Sequence, residues 1–138
     1  MAERIREDAV DLVLVDTNVM SFAIKADSRR DLYRQHLDGR QVCLSFMTIA
    51  ELYRWTITRN WGSKRIEGLR LELAKCVVLP YDDELAWAWA RLRSMKGKPM
   101  EVGDAWIAAT AVRHGLPLVT HNRRHFDGIA GLRVISEE

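Results

Sequence analysis

No apolar run in this sequence approaches the roughly 18 residues that a membrane-spanning helix requires, so a span is not expected. Neither sign of charge dominates: 21 Lys and Arg face 19 Asp and Glu. That balance neither demands nor excludes a nucleic-acid partner, and the distribution of charge matters more than its sum. There are only two cysteines, Cys43 and Cys76, both within apolar runs and at no metal-ligand spacing. This excludes a cysteine-based zinc module and a disulfide framework, and marks both as small buried hydrophobes of a reducing compartment. Repeats and low-complexity segments are absent. The start, residues 1–10, is charged and has no signal-peptide core, so it is expected to be a polar extension of a cytoplasmic protein.

What is present is ample core material. An apolar content of 48% with five tryptophans in 138 residues suits one domain with a sizeable interior, its core covering about residues 12–135. Leu12-Val13-Leu14-Val15 runs without polar alternation straight into Asp16, the pattern of a strand buried on both faces of a parallel sheet. In open α/β sheets ligands bind beyond the carboxyl ends of the strands, so Asp16 is either placed for chemistry or caps the next helix.

Further along, the sequence predicts a short helix over Asn18–Ile24, then a turn or helix start over Lys25–Asp31. A second strand at Val42–Leu44 ends at Ser45, and a helix from Phe46 to about Asn60 carries Glu51. Another helix spans Lys64–Lys75, with Ile66, Leu69 and Leu73 forming its apolar stripe. Val77–Leu79 is a third strand. Asp82-Asp83-Glu84 start the next helix, where negative charge is favoured, and Leu85, Ala88, Trp89, Leu92 and Met95 form its inward stripe. Trp87 lies off that stripe, at the surface or against a partner subunit. Lys96-Gly97-Lys98-Pro99 ends this helix, the last helix runs from near Gly103 to His114-Gly115, Pro117–Thr120 is strand four, and Leu132–Ile135 a terminal strand. Short strands alternating with helices define a three-layer α/β domain around a mainly parallel sheet, with Asp16, Ser45 and Thr120 along one edge.

Three carboxylates compete for chemical roles. Asp104 shares the inward face of its helix with Ile107, Ala108 and Ala111, so it is either a cap or a metal or proton site, because an unpaired inward carboxylate is costly. Glu51 either pairs with Arg54 three residues on or joins the other two acids. If Asp16, Glu51 and Asp104 meet at one sheet edge, their mutual repulsion calls for a divalent cation, and Mg²⁺ or Mn²⁺ suits an all-oxygen site.

Leu14–Val19, Thr48-Ile49-Ala50-Glu51-Leu52, Gly103-Asp104 with Ile107–Ala111, and Leu118–Asn122 followed by His125-Phe126 resemble, in order, the signatures of PIN domains. Among these the chain is most similar to VapC-type toxins of bacterial toxin–antitoxin pairs, over roughly residues 12–135. The resemblance implies a single PIN domain acting as a Mg²⁺- or Mn²⁺-dependent endoribonuclease, with Asp16, Glu51 and Asp104 as catalytic metal ligands for one or two ions. It also implies a homodimer neutralised by an antitoxin protein. The family often carries a fourth acid after strand four; here that place is Asn122, and Asp127 is a nearby substitute. Thr17 and Thr120 are candidates for orienting water or phosphate. Trp61, Arg123 and Arg124 are candidate RNA contacts, and Arg54, Arg59, Lys64 and Arg65 either track RNA or meet an acidic antitoxin segment. His121 and His125 read as a basic rim or a solvated loop.

Two other functions fit parts of the pattern. A phosphatase of the haloacid dehalogenase type also places Asp after a hydrophobic strand, but needs a second Asp where this chain has Asn18. A PIN-like module that binds RNA or protein without cutting is compatible with the missing fourth acid.

Overall fold

The computed structural model describes residues 11–97 and 100–138. The expected polar extension 1–10, and the Lys98-Pro99 part of the expected helix stop, lie outside the described residues. The chain runs through β1 (Asp11–Val15), α1 (Thr17–Ile24), α2 (Arg30–Leu37), β2 (Arg40–Ser45), α3 (Phe46–Thr58) and α4 (Ser63–Leu73). It continues through β3 (Val77–Leu79), α5 (Asp83–Arg93), α6 (Val102–His114), β4 (Leu118–Val119), a 3₁₀ turn (Arg123–His125) and β5 (Val134–Ile135).

The five strands form one parallel sheet in the order β3-β2-β1-β4-β5. The unbroken apolar run of β1 follows from its central place. Leu14 packs with Leu85, Ala88 and Ala108 of α5 and α6 on one face, while Val13 and Val15 pack with Phe22, Tyr33, Leu52 and Leu69 of α1–α4 on the other. Helices thus cover both faces, which makes three layers.

Local chemistry sets the helix ends. Asp16, Ser45 and Asp82 cap α1, α3 and α5 by accepting the backbone N–H groups of Val19, Met47 and Leu85. Asp82 also takes the Arg113 guanidinium of α6, with Nη2 2.6 Å away, which holds its carboxyl down at about 2; the acidic trio is structural, as its position at a helix start suggests. Gly115 ends α6 at φ 67°, a left-handed conformation that suits glycine. The buried Ala105, Ala108, Ala109 and Ala111 bring α6 close against the sheet.

The expected turn or helix start over Lys25–Asp31 is a turn that leads into α2 at Arg30, and α2 is anchored by Tyr33, which is fully buried in an otherwise polar segment and so leaves little periodic signal. The structure departs from expectation at one helix. α5 ends at Arg93, and Met95, expected on the inward stripe, is exposed.

From β1 the chain builds β2 and β3 on one side, then crosses back to lay β4 and β5 on the other. The switch point lies between β1 and β4, and a crevice opens beyond their C-terminal ends. Asp16 follows one strand and Thr120 the other.

Candidate active site

The crevice is a cleft of about 200 Å³ that collects Asp16, Glu51 and Asp104 from three separate segments, with Thr17, Asn18, Arg54, Trp55, Glu101, Asn122 and His125 around them. The neighbours of Asp16 show why it can be both a cap and more than a cap. Its Oδ1 accepts the Val19 N–H at 2.9 Å and starts α1, while its Oδ2 accepts the Thr120 hydroxyl. Its backbone N–H donates to the Val119 carbonyl at 3.0 Å, which ties the residue to the neighbouring strand. Only 4% of Asp16 is exposed, and burial pushes its carboxyl up to about 6 against the two hydrogen bonds that favour the charged form. Asp104 and Glu51 add repulsion. A buried carboxylate in this condition is stabilised by a nearby cation.

Glu51 does not pair with Arg54. Its Oε1 accepts the Thr17 hydroxyl at 2.5 Å, and Thr17 in turn lies 3.0 Å from the buried Thr48 hydroxyl. Its Oε2 sits over Gly103, where a Cβ would come within 2.9 Å. Glycine is therefore required for Glu51 to lie where it does. Asp104 is not the cap of α6: the extended residue before that helix is Glu101, and Asp104 stands in the first turn. It is half-buried, which raises its carboxyl, while His125 Nδ1 at 2.9 Å pulls in the other direction.

The fourth-position candidates separate. Asn122 faces the cleft, and its backbone N–H donates to the Thr120 hydroxyl oxygen at 3.0 Å. Asp127 does not line the cleft; it lies in an adjoining depression with Arg124 and is 4.0 Å from Arg123. The histidines depart from the expected rim. His121 is half-buried, edge-on to Phe22 and Tyr33 with the Tyr33 hydroxyl 2.5 Å from Nδ1, and His125 touches Asp104 directly. Arg123 is tied back to the C-terminal segment, its N–H donating to the Glu138 carboxylate at 2.8 Å. Trp61 stands apart from the cleft, in a separate depression with Arg65.

Glu101 carries no role in the sequence reading, and Gly103 enters it only as part of the Gly103-Asp104 signature. Glu101 lines the cleft and adds to the repulsion on Asp104. Its signal was an acid one helical turn before Asp104. The close approach at Gly103 is tertiary and leaves no local trace.

Among the described residues no three His, Cys, Asp or Glu side chains form a closed metal cage. Each of the three acids instead holds an internal hydrogen bond. The donor chemistry still fits a hard cation: the acids present only oxygen, and Mg²⁺ keeps several waters, so one or two carboxylates suffice to hold it.

A parallel sheet with carboxylates over its switch point belongs to the acid-cleft α/β class, and the PIN domain pattern matches residues 13–132. The chain is a member of the PIN domain family. It is 33% identical to VapC ribonuclease Y4jK of Sinorhizobium fredii, with 91% of this chain and 96% of that protein covered. Its fold matches the crystal structure of FitAcB from Neisseria gonorrhoeae at TM-score 0.73 and 32% identity, covering 90% of this chain and 96% of that one. VapBC2 from Rickettsia felis, solved on a DNA fragment from its promoter, superposes at TM-score 0.80 with 20% identity, covering 92% and 99%, a likeness of fold alone. The PIN assignment removes the phosphatase alternative. Among the described residues no helix is long and apolar enough to cross a membrane.

Proposed function

We propose that this protein is an endoribonuclease that hydrolyses RNA phosphodiester bonds with Mg²⁺ or Mn²⁺, and that it is the toxin of a toxin–antitoxin pair. The observation that carries the proposal is the meeting of Asp16, Glu51 and Asp104 in one cleft, with Asp16 buried and raised to about 6. The name of a relative supplies the substrate class: Y4jK, 33% identical, is a VapC ribonuclease.

Asp16, Glu51 and Asp104 are the residues that would hold the ion. A divalent cation bound there supplies Lewis-acid activation of water and neutralises charge on the phosphodiester oxygens. Thr120 fixes Oδ2 of Asp16, Thr17 fixes Oε1 of Glu51, and Gly103 leaves the room that Glu51 needs. Arg54, exposed at the cleft wall, presents donors to a phosphate. Asn122 brings a polar but uncharged group, so the charge for a first ion rests on the three acids. The protein works as a single cytoplasmic PIN domain, paired as a homodimer and silenced by an antitoxin that covers the cleft.

Incubating the purified protein with structured RNA in Mg²⁺ or in EDTA tests the activity. Cutting is expected in Mg²⁺ only, and Asp104→Asn is expected to abolish it. Undiminished cutting by that variant sinks the site assignment.

A further inference from the structure

Beside the acidic cleft the surface charge reverses. Trp55 lines the cleft, and its indole carries two cations: Lys25 Nζ lies 5.0 Å and the Arg59 guanidinium 4.9 Å from the ring centroid. Arg65 lies 4.0 Å over Trp61 in the depression beyond. Lys25 follows the end of α1 and Arg59 the end of α3, so their meeting on one ring is a product of the fold rather than of sequence proximity.

These cations have no acidic partners. Among the described residues Lys25, Arg54, Arg59 and Arg65 form no ion pair, whereas the nearby Arg29 is held by Asp27 at 2.8 Å. Like charges gathered without counter-charge repel. At Lys25, burial first and then the charge of Arg59 hold the ammonium below the ordinary value, with Asp27 opposing. The indole faces offset part of the repulsion and hold the cationic groups over the rings. All four cations are exposed, and Trp55 and Trp61 are half-buried against the α1–α4 core, which holds the rings in place.

We propose that Lys25, Arg59 and Arg65, laid on Trp55 and Trp61, form a track for unpaired RNA that leads into the carboxylate cleft. Phosphates meet the cations, and bases stack on the outward guanidinium faces that the indoles back. The planar surfaces favour RNA over an acidic peptide, which would use the charges and leave the rings idle. They favour unpaired RNA because a duplex hides its base faces. The inference rests on the ribonuclease reading above.

Binding is measured with the full chain carrying Asp104→Asn, by fluorescence anisotropy of a labelled, unpaired oligoribonucleotide of about 12 nucleotides. A duplex of the same length and a poly-glutamate peptide are the comparison probes, and circular dichroism checks that each variant is folded. Adding Lys25→Ala with Arg59→Ala is expected to weaken single-strand binding on the order of tenfold. It is also expected to flatten the slope of log K against log salt by about 1.4, or about 0.7 for each of two phosphates. Arg59→Lys is expected to keep the slope, which separates lost charge from lost fold. An unchanged slope in the double variant overturns the track, as does duplex bound as tightly as the single strand. Loss of poly-glutamate binding with RNA binding intact overturns it in favour of an acidic protein partner. Cleavage is scored in parallel in the background with native Asp104. Intact cleavage with an unchanged slope refutes the track alone; binding through the track without any cleavage refutes the nuclease reading alone.

Discussion

Replacing Asp16 with Asn is expected to stabilise the metal-free protein at neutral pH while abolishing RNA cleavage. Burial raises the Asp16 carboxyl from 3.8 to about 6. At about 1.36 kcal/mol per unit, the charged form costs the folded state about 3 kcal/mol at pH 7. The sign follows from the direction of the shift. Below 3.8 the group is protonated both folded and unfolded and contributes no difference; between 3.8 and about 6 the unfolded chain ionises while the buried acid does not, so stability is lost across that window and the loss is complete once the pH has risen through 6. Asn carries no charge, and its amide oxygen can still accept the Val19 N–H and cap α1. Its hydrogen bond with Thr120 is rearranged at a cost of about 1 kcal/mol, which leaves a net gain of about 2 kcal/mol. With an unfolding entropy of about 2.1 cal/mol/K per residue, that gain raises the melting temperature by about 7 °C. Thermal melts in EDTA from pH 4 to pH 8 make the comparison. The variant should melt higher at pH 7, and its advantage should shrink through pH 6 and disappear by pH 4. Mg²⁺ should raise the melting temperature of the native chain and leave the variant unmoved. A variant that melts lower than the native chain by the same margin at every pH refutes the premise that Asp16 is a buried, uncompensated charge.

Two further substitutions probe the surroundings of the acids. Gly103→Ala improves helix propensity by up to about 1 kcal/mol, yet its Cβ meets Glu51 Oε2 at 2.9 Å and turns that carboxylate away. Cleavage should fall on the order of tenfold or more with no loss of melting temperature, and unchanged cleavage shows that Glu51 need not lie where it does. Tyr33→Phe removes a buried hydroxyl that contacts His121 and the Thr120 carbonyl and accepts the Glu137 N–H. It should cost about 1–2 kcal/mol, read as a lower midpoint in urea unfolding; an unchanged midpoint means those groups find other partners.

Most of the framework was legible because its signals are local. The apolar run of β1, the caps at Asp16 and Asp82 and the stop at Gly115 each reside in a few consecutive residues. The three acids were legible for a related reason: each sits at the end of a strand or in the first turns of a helix, and such ends share one side of a parallel sheet. What was hidden depends on contacts across the chain. Tyr33 gives α2 its single anchor, which a periodicity cannot reveal. His121 looked like a loop cation among arginines, but Phe22 and Tyr33 draw it inward. Asp127 reads as a nearby substitute for Asn122, yet beyond the 3₁₀ turn at Arg123–His125 it lines an adjoining depression rather than the cleft. The crowding of Glu51 on Gly103 joins residues of α3 and α6 that no spacing rule relates.

The two oxygens of Asp16 are separately employed, one starting a helix and the other facing Thr120 at the cleft. An Asp codon becomes an Asn codon by one nucleotide change, and asparagine serves a helix start as well as aspartate does. For the toxin proposed above, the inactivating substitution reached by a single nucleotide change at this position therefore yields a protein that still folds rather than a degraded one. On that proposal such an allele persists as an inert copy still able to occupy the antitoxin, and it frees the active toxin from restraint wherever both are made.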